Sequence, residues 1–267
     1  MPEALELFRL SGRVVAITGA AGHLGRCFAE AAAQAGADLV LIDLDAAGLQ
    51  TLSDTLTGRY TCRVLVLPFD LRDEAALRGV PAAIRDGFGR LDVLVNCAAF
   101  VGTSRLEGWA VGFREQSSAA WRAALEVNLT APFILSQVCT DLLTESGSGS
   151  LIMIGSIYGM LGPDWSLYEG TAMANPAAYA ASKGGLEQLV RWLATTLAPG
   201  LRVNGIIPGG IARGQPQVFV ERYEARTPLR RMASEDDFVG AFLYLASDAS
   251  RYVTGQCLVV DGGWSAW

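Results

Sequence analysis

The sequence predicts an α/β fold: one doubly wound domain with a seven-stranded, mainly parallel sheet flanked by helices. Three observations predict it. Short apolar runs rich in Val, Ile and Leu alternate with longer Ala- and Leu-rich stretches along the 267 residues. Such alternation gives parallel strands joined by right-handed crossovers. A glycine-rich octet, Thr18-Gly19-Ala20-Ala21-Gly22-His23-Leu24-Gly25, separates the first strand from the first helix, and an acid, Asp43, closes the second strand. No linker, repeat or low-complexity block divides residues 1–267, so a single domain is expected, with ligands at the carboxyl ends of the strands.

The elements follow in order. Arg13 to Ile17 is a β-branched apolar run and reads as a buried strand. Leu24 to Ala35 is an alanine-rich helix stopped by Gly36. Asp38 to Ile42 is the second strand. Asp45 to Thr57 is a helix, with Asp45 the better candidate for its N-cap. Arg63 to Leu67 is the third strand, leading to Phe69-Asp70. Asp73 to Phe88 is helical, with Gly87 and Gly89 as stops. Leu91 to Val95 is the fourth strand. Phe100 to Gln116 lacks a clear period and reads as a loop. Ser118 to Asn128 and Ala131 to Leu143 make a long helix with a bend near Pro132. Leu151 to Ile154 is the fifth strand. A long loop, Gly159 to Pro176, precedes a helix reaching Leu197. Leu201 to Ile206 is the sixth strand. Ile211 to Ala233 is Arg-rich and poorly periodic. Ser234 caps a helix to Leu245, and Gln256 to Val260 is the seventh strand.

Composition excludes several function classes. No apolar run reaches the ~18 residues that span a bilayer, so no membrane partner is expected. Met1 to Leu10 carries acids and no apolar core, so it does not read as a secretory signal. The five cysteines, Cys27, Cys62, Cys97, Cys139 and Cys257, are scattered and without C-x-x-C spacing. They read as small core residues in a reducing, cytoplasmic setting. One histidine and no His/Cys cluster argue against a metal site. A net charge of −6 argues against nucleic acid as the main partner.

The octet and Asp43 point to a dinucleotide. Glycines there permit a tight turn and let a pyrophosphate approach the helix N-terminus, where free N–H groups and the dipole favour an anion. A carboxylate at the end of the second strand accepts from ribose hydroxyls and repels a 2′-phosphate, which favours NAD over NADP. Asp70, after the third strand, reads either as an acceptor for an adenine amino group or as a turn residue. Tyr179 and Lys183 stand i and i+4 on one helix, and Lys183 is the only lysine in the chain. A nearby ammonium stabilises a tyrosinate, which would make Tyr179 a proton donor or acceptor near neutral pH.

These residues together resemble the short-chain dehydrogenase/reductase family, a Rossmann-fold group. The octet, Asp70, Asn96-Cys97-Ala98-Ala99, Asn128, Gly155-Ser156, Tyr179-x-x-x-Lys183, Pro208-Gly209, and Tyr252-Val253-Thr254-Gly255 through Val260-Asp261-Gly262-Gly263 match its pattern in order. The resemblance covers Leu10 to Gly263. It implies a catalytic set of Asn128, Ser156, Tyr179 and Lys183. Ser156 would hold the substrate oxygen, Tyr179 would pass the proton, Lys183 would lower the tyrosine pKa and hold the nicotinamide ribose, and Asn128 would anchor a water. It implies cofactor contacts at Gly19, Ala21, Gly22, His23, Leu24, Gly25, Asp43, Asp70, Leu71, Asn96, Ala98, Tyr179, Lys183, Pro208, Gly209 and Ile211. It implies hydride transfer between a nicotinamide and a secondary alcohol or ketone, and a homotetramer. The helices around Asn128 to Leu143 and Tyr179 to Leu197, with the tail carrying Trp264 and Trp267, could supply its interfaces.

The sequence departs from the compact pattern at three places. His23 replaces a glycine and Gly22 comes one residue early, as in the family's extended branch. Asn96-Cys97-Ala98-Ala99 ends in alanine where glycine is usual. Arg213 replaces a threonine. Three loops should form the substrate pocket: 100–116, 159–176 and 212–233. The second is about ten residues longer than usual and carries Asp164, Trp165, Tyr168 and Glu169. With Arg105, Glu107, Trp109 and Arg213, these suit a sugar-like substrate, or else they pack the loop onto the domain. The insertion, Ser156-Ile157-Tyr158-Gly159 and the early Gly22 also resemble oxidoreductases of bacterial surface-sugar and flagellin-glycan pathways. Arg213, Arg222, Arg226, Arg230 and Arg231 read as an anion clamp or as a solvated face. Two other functions remain open on the sequence: a sugar-nucleotide dehydratase or epimerase, and a non-catalytic NAD-binding sensor or scaffold.

Overall fold

The structure, a computed structural model, describes residues 3–102 and 104–267. Met1, Pro2 and Thr103, which the expected domain and first substrate loop include, lie outside the described residues. Seven strands form one sheet: β1 (Val14–Thr18), β2 (Asp38–Asp43), β3 (Val64–Pro68), β4 (Val93–Asn96), β5 (Ser150–Ile154), β6 (Arg202–Pro208) and β7 (Cys257–Val260). Their spatial order is β3-β2-β1-β4-β5-β6-β7. Every ladder among the described residues is parallel. The order reverses between β1 and β4, the switch point at whose carboxyl ends folds of this kind bind ligands.

Among the described residues nine helices cover the two faces: α1 (His23–Gln34), α2 (Ala46–Arg59), α3 (Glu74–Phe88), α4 (Ser118–Leu125), α5 (Ala131–Glu145), α6 (Ile157–Met160), α7 (Ala177–Leu197), α8 (Gln217–Arg226) and α9 (Val239–Ala246). Alternate residues of each inner strand point to opposite faces. Val15 and Ile17 of β1 face one core with Phe28 of α1 and Phe242 of α9. The rings of Phe28 and Phe242 stack at 4.8 Å. Val14 and Ala16 face the other core with Leu77 of α3, Leu135 of α5 and Leu186 of α7. Central strands buried on both faces explain why they read as unbroken apolar runs.

The caps expected at Asp45 and Ser234 form. The Asp45 carboxylate accepts from the Gly48 N–H at 2.9 Å, and Ser234 makes a reciprocal capping box with Asp237. Three features differ from expectation. The bend before α5 lies not at Pro132 but in a π turn, Glu126–Thr130, where one extra residue widens the ladder. Pro132 sits in the first turn of α5, where its missing N–H costs nothing. The Arg-rich segment hides α8, which buries only Phe219 and Tyr223. Two apolar residues spaced i and i+4 are too few to show a period. Trp264, expected at an interface, is buried, with its ring 4.3 Å from Tyr223 and nearly parallel to it.

Candidate active site

At the nucleotide end the backbone makes the site. Gly19 turns at φ 68°, a conformation that favours glycine. A Cβ on Gly25 would stand 2.1 Å from the Gly19 carbonyl oxygen, so α1 can begin this close to β1 only without one. Gly22 is the N-cap of α1 and offers no capping side chain. The first bond of the helix runs from the Arg26 N–H to the Gly22 carbonyl. The N–H groups of His23, Leu24 and Gly25 therefore stand outside the ladder, as an anion site requires. His23 takes the first helical position with its side chain exposed. A helical φ needs no glycine, which is why the departure is tolerated. Leu24 is buried and packs inward. Thr18 ties β1 to β4: its hydroxyl oxygen accepts from the N–H groups of Cys97 at 3.0 Å and Ala98 at 3.2 Å. Ala98 then faces Gly19.

Asp43 joins this loop to β2. One carboxylate oxygen accepts from the Ala21 N–H at 3.0 Å and the other from the Asp45 N–H at 3.1 Å. Asp70 takes the turn role. Its carboxylate is gripped by the Arg72 guanidinium at 2.6 Å and by the Arg72 N–H at 2.9 Å. Arg72 holds its carboxyl below the usual range. Both oxygens are thus partly spent, which weighs against the adenine contact. Leu71 turns its side chain into the core, leaving only its backbone for a ligand. Asn96 is buried, and its Oδ1 has no hydrogen-bond partner. Pro208 ends β6, the Gly209 N–H donates to Val260, and Ile211 is held by a bridge to Ala233.

The four residues expected to be catalytic converge at the ends of β5 and α7. Ser156 follows β5 directly and caps α6, accepting from the Tyr158 N–H at 3.2 Å. Its hydroxyl lies near enough to the Tyr179 phenol to favour the ionised form. Lys183 is buried and donates from Nζ to the Ile154 carbonyl at 2.6 Å. Asn128 lies in the π turn and spends its side chain on structure. It accepts from the Phe100 N–H at 2.7 Å and donates to the Phe100 carbonyl and to the Ser182 hydroxyl, both at 3.1 Å. It thereby locks the π turn to α7 and to the loop after β4. A water held by Asn128 would have to use its backbone.

One electrostatic expectation is overturned. Lys183 was expected to depress the Tyr179 pKa. Burial instead raises it, against the lowering effects of Ser156 and Arg213. The Lys183 ammonium is turned to Ile154, and burial brings its own pKa down to about 8. Desolvation dominates at both groups because both are buried.

All three expected substrate loops reach Tyr179. Trp109, from the first, packs beside it with Phe100 and Leu106. Gln116 ends that loop by accepting from the Ala177 N–H at 3.0 Å, the first turn of α7. Tyr168, from the second, and Arg213, from the third, act on the charge of Tyr179 from opposite directions. Arg213, Arg226, Arg230 and Arg231 are exposed, as the solvated-face reading expects, and all five arginines bond to the protein's own groups. Arg222 donates to the Glu169 carbonyl at 2.6 Å, and Arg226 pairs with Asp164 and lies 4.8 Å over the Trp264 ring. Arg213 pairs with Glu235 at 3.0 Å, Arg231 with Asp237 at 2.6 Å, and Arg230 donates to the Ala225 carbonyl. Asp164, Trp165, Tyr168 and Glu169 are thus the insertion's fastening to α8.

The sequence reading missed two polar residues here, Asn175 and Glu187. The hydroxyls of Tyr158 and Tyr168 meet at 2.8 Å, and the amide of buried Asn175 lies near enough to favour the ionised form of each. Glu187 is buried one turn after Lys183. Its i+4 spacing from the sole lysine was a usable signal.

A family model described as enoyl-(acyl carrier protein) reductase matches residues 19–265. Galactitol 2-dehydrogenase (L-tagatose-forming) of Cereibacter sphaeroides is 33% identical over 98% of both chains. The chain belongs to the short-chain dehydrogenase/reductase family. Post-translational flagellin modification protein A of Campylobacter coli is 28% identical, covering 96% of this chain and 99% of its own. Among solved structures, a gluconate 5-dehydrogenase from Burkholderia cenocepacia J2315 in complex with NADP and tartrate matches with TM-score 0.87 and 28% identity over 99% of this chain and 100% of its own. A short chain dehydrogenase from Leptospira borgpetersenii with bound NAD+ matches with TM-score 0.85 and 29% identity over 99% of this chain and 97% of its own. As a member of the family the protein is an oxidoreductase acting on CH–OH groups with a nicotinamide cofactor. The residues present fit that group: glycines at 19 and 25 let β1, the loop after β4 and the start of α1 pack closely enough to present free N–H groups, and Asn96 carries an unpartnered buried oxygen at the end of β4.

Proposed function

We propose that this protein is an NAD-preferring dehydrogenase/reductase whose substrate is a polyhydroxylated secondary alcohol or ketone, a sugar or polyol. The observation that carries the reading is the convergence of Ser156, Tyr179 and Lys183 near the paired hydroxyls of Tyr158 and Tyr168 and the Asn175 amide. The free N–H groups of α1 and the Asp43 carboxylate would hold the dinucleotide, with Asn96, Ala98, Pro208, Gly209 and Ile211 along the nicotinamide half. The nicotinamide supplies the hydride acceptor in oxidation and the donor in reduction. Ser156 holds the reacting oxygen. Tyr179 takes the hydroxyl proton in oxidation and returns it in reduction. Lys183 supplies the positive charge beside it. A phenol raised by burial stays protonated at neutral pH, the form that reduction of a ketone uses.

Asp43 supports the preference for NAD, because a carboxylate at the end of β2 accepts from ribose hydroxyls and repels a 2′-phosphate. The insertion supports a hydroxylated substrate, because it brings a tyrosine hydroxyl and an amide to the catalytic end. The relatives named for galactitol and for gluconate support the same class. Exposed Phe133 and Trp192 flank an apolar depression lined by Leu129, Gly185 and Leu189 between α5 and α7. This face, with exposed Trp267, would be covered by further copies in a homotetramer. The odd, unpaired cysteines support a cytoplasmic setting.

The test is a turnover assay with NAD and NADP against galactitol, D-threitol, gluconate and their ketones, with Tyr179→Phe as control. Turnover of a polyol or sugar acid with NAD, and a loss of about 10²- to 10⁴-fold in Tyr179→Phe with NADH binding retained, is expected. Activity confined to non-hydroxylated ketones, or a Tyr179→Phe enzyme with the parent rate, defeats the proposal.

A further inference from the structure

Glu187 is 4% exposed on α7, one turn beyond Lys183 and two beyond Tyr179. The three side chains run along one face of the helix. The Oε1 of Glu187 has no hydrogen-bond partner. An unpaired carboxylate oxygen in the interior is costly and calls for a reason.

The space it fills is made by two glycines. A Cβ on Gly159 would stand 2.2 Å from Oε1, and one on Gly155 would stand 3.1 Å away. Gly155 precedes Ser156, and Gly159 lies within the single turn of α6 that follows it. The carboxyl therefore sits against the segment that carries Ser156, on the same helix face as the proton-transfer pair. The groups around it are few. Lys183, Arg191 and Tyr179 face it from α7, Cys257 from β7, and the Ser156 N–H from the turn after β5. Lys183, Arg191 and that N–H favour its charged form, while burial lifts its pKa above the usual range.

We propose that Glu187 is a positioning residue of the active site, seated between Gly155 and Gly159, and that its carboxylate supplies the counter-charge for the Lys183 ammonium. The inference rests on the role given above to Ser156, Tyr179 and Lys183. It has a direct physical consequence. Burial lowers the Lys183 pKa to about 8, and Glu187 acts to raise it. Without that carboxylate Lys183 gives up its proton at lower pH, and the site loses the positive charge beside Tyr179 sooner. Glu187 also raises the Tyr179 pKa, so its removal moves both groups in the same direction.

The chain's single lysine makes this measurable without substrate or cofactor. Protein grown with isotope-labelled lysine gives one side-chain signal, and its chemical shift followed against pH reads Lys183 alone. In Glu187→Gln, which keeps the size and removes the charge, the midpoint is expected to fall by roughly half a unit to one unit. An unmoved midpoint overturns the proposal. Should Glu187→Gln fail to fold, the parent protein decides. Its lysine signal carried to acid should show a second, smaller inflection above the ordinary glutamate range, and a single inflection overturns the proposal. In turnover, the ionisation that limits the rate should move to lower pH in Glu187→Gln by the same amount. A lysine midpoint that moves while the rate profile does not overturns the catalytic part of the inference. Failure of the proposed activity would leave the lysine titration intact. Failure of the inference would leave the Tyr179→Phe loss intact.

Discussion

At the carboxyl ends of β1 and β2 the chain builds with its backbone. Gly19 turns at φ 68°, Gly25 leaves room for its carbonyl, and three N–H groups of α1 point outward. At the carboxyl ends of β5 and β6 it builds with side chains brought from far apart. Arg222 fastens Glu169 across 53 positions, Arg226 fastens Asp164 across 62, and Tyr158 meets Tyr168 inside the fastened loop. The first arrangement admits almost no alternative side chains. The second can be rebuilt around a new substrate without touching the first. A family that keeps one cofactor and changes substrates has reason to divide its labour this way.

The sharpest way to break the backbone half is Gly25→Ala. The new Cβ would meet the Gly19 carbonyl, which is backbone and cannot move aside cheaply. NADH affinity should fall by about 100-fold or more, and stability by about 2–4 kcal/mol. Fluorescence titration with NADH and urea unfolding read the two effects. An enzyme with parent-like affinity would show that α1 can shift away from β1, against the geometry described.

The side-chain half should fail differently. Arg222→Ala removes a charged donor from the Glu169 and Leu167 carbonyls and frees the insertion from α8. A charge-assisted hydrogen bond contributes about 1.5–3 kcal/mol, so kcat/KM for the substrate should fall by about tenfold or more. NADH affinity should stay as it is. Steady-state kinetics beside an NADH titration separates the two. A matched loss in both would mean that the ends of the sheet are coupled rather than divided.

This division also explains what was legible in the sequence. The order of seven strands, the octet, Asp43 and the Tyr179–Lys183 pair depend on local spacing, and the sequence displays local spacing directly. Asp45 and Ser234 could be read as caps for the same reason. The fastening of the insertion depends on which arginine meets which carbonyl across more than 50 positions, and no period records that. Hence α8 read as a loop, and the bonds from Arg222 to Glu169 and from Arg226 to Asp164 went unread. Trp264 looked like an interface residue because a terminal tryptophan gives no sign that Tyr223 stacks on it. Tyr179 misled for a third reason. Spacing shows that Lys183 is near, but only burial decides whether its charge or desolvation controls the phenol.

A slower probe of the buried pair uses stability against pH. Lys183 has a folded pKa of about 8, below its ordinary 10.5. Between these values the unfolded chain binds more protons than the folded one, so this group makes stability climb with pH across that window. Below about 8 the ammonium is present in both states and its burial cost is paid in full. Lys183→Met lacks the titration. The melting temperature of the parent minus that of Lys183→Met should therefore rise from pH 8 towards 10.5. A difference that stays flat would place the lysine in a more solvated setting than its burial shows.

The smallest effect belongs to the residue that looks most irregular. His23 stands where the compact pattern has glycine, at the point where a pyrophosphate would approach. In the structure it is the first residue of α1, with helical backbone and an exposed side chain. The anion site there is made of N–H groups, which His23 supplies as well as glycine does. His23→Gly should change NADH affinity by no more than about twofold and cost up to ~1 kcal/mol of stability through added chain entropy. The same NADH titration used for Gly25→Ala reads it. Two neighbouring positions, 23 and 25, should thus differ by well over tenfold in their tolerance of a side chain, because the Cβ points to solvent at one and into the Gly19 carbonyl at the other. A large loss of affinity in His23→Gly would show the imidazole gripping the phosphates, and the nucleotide end would then not be built by backbone alone.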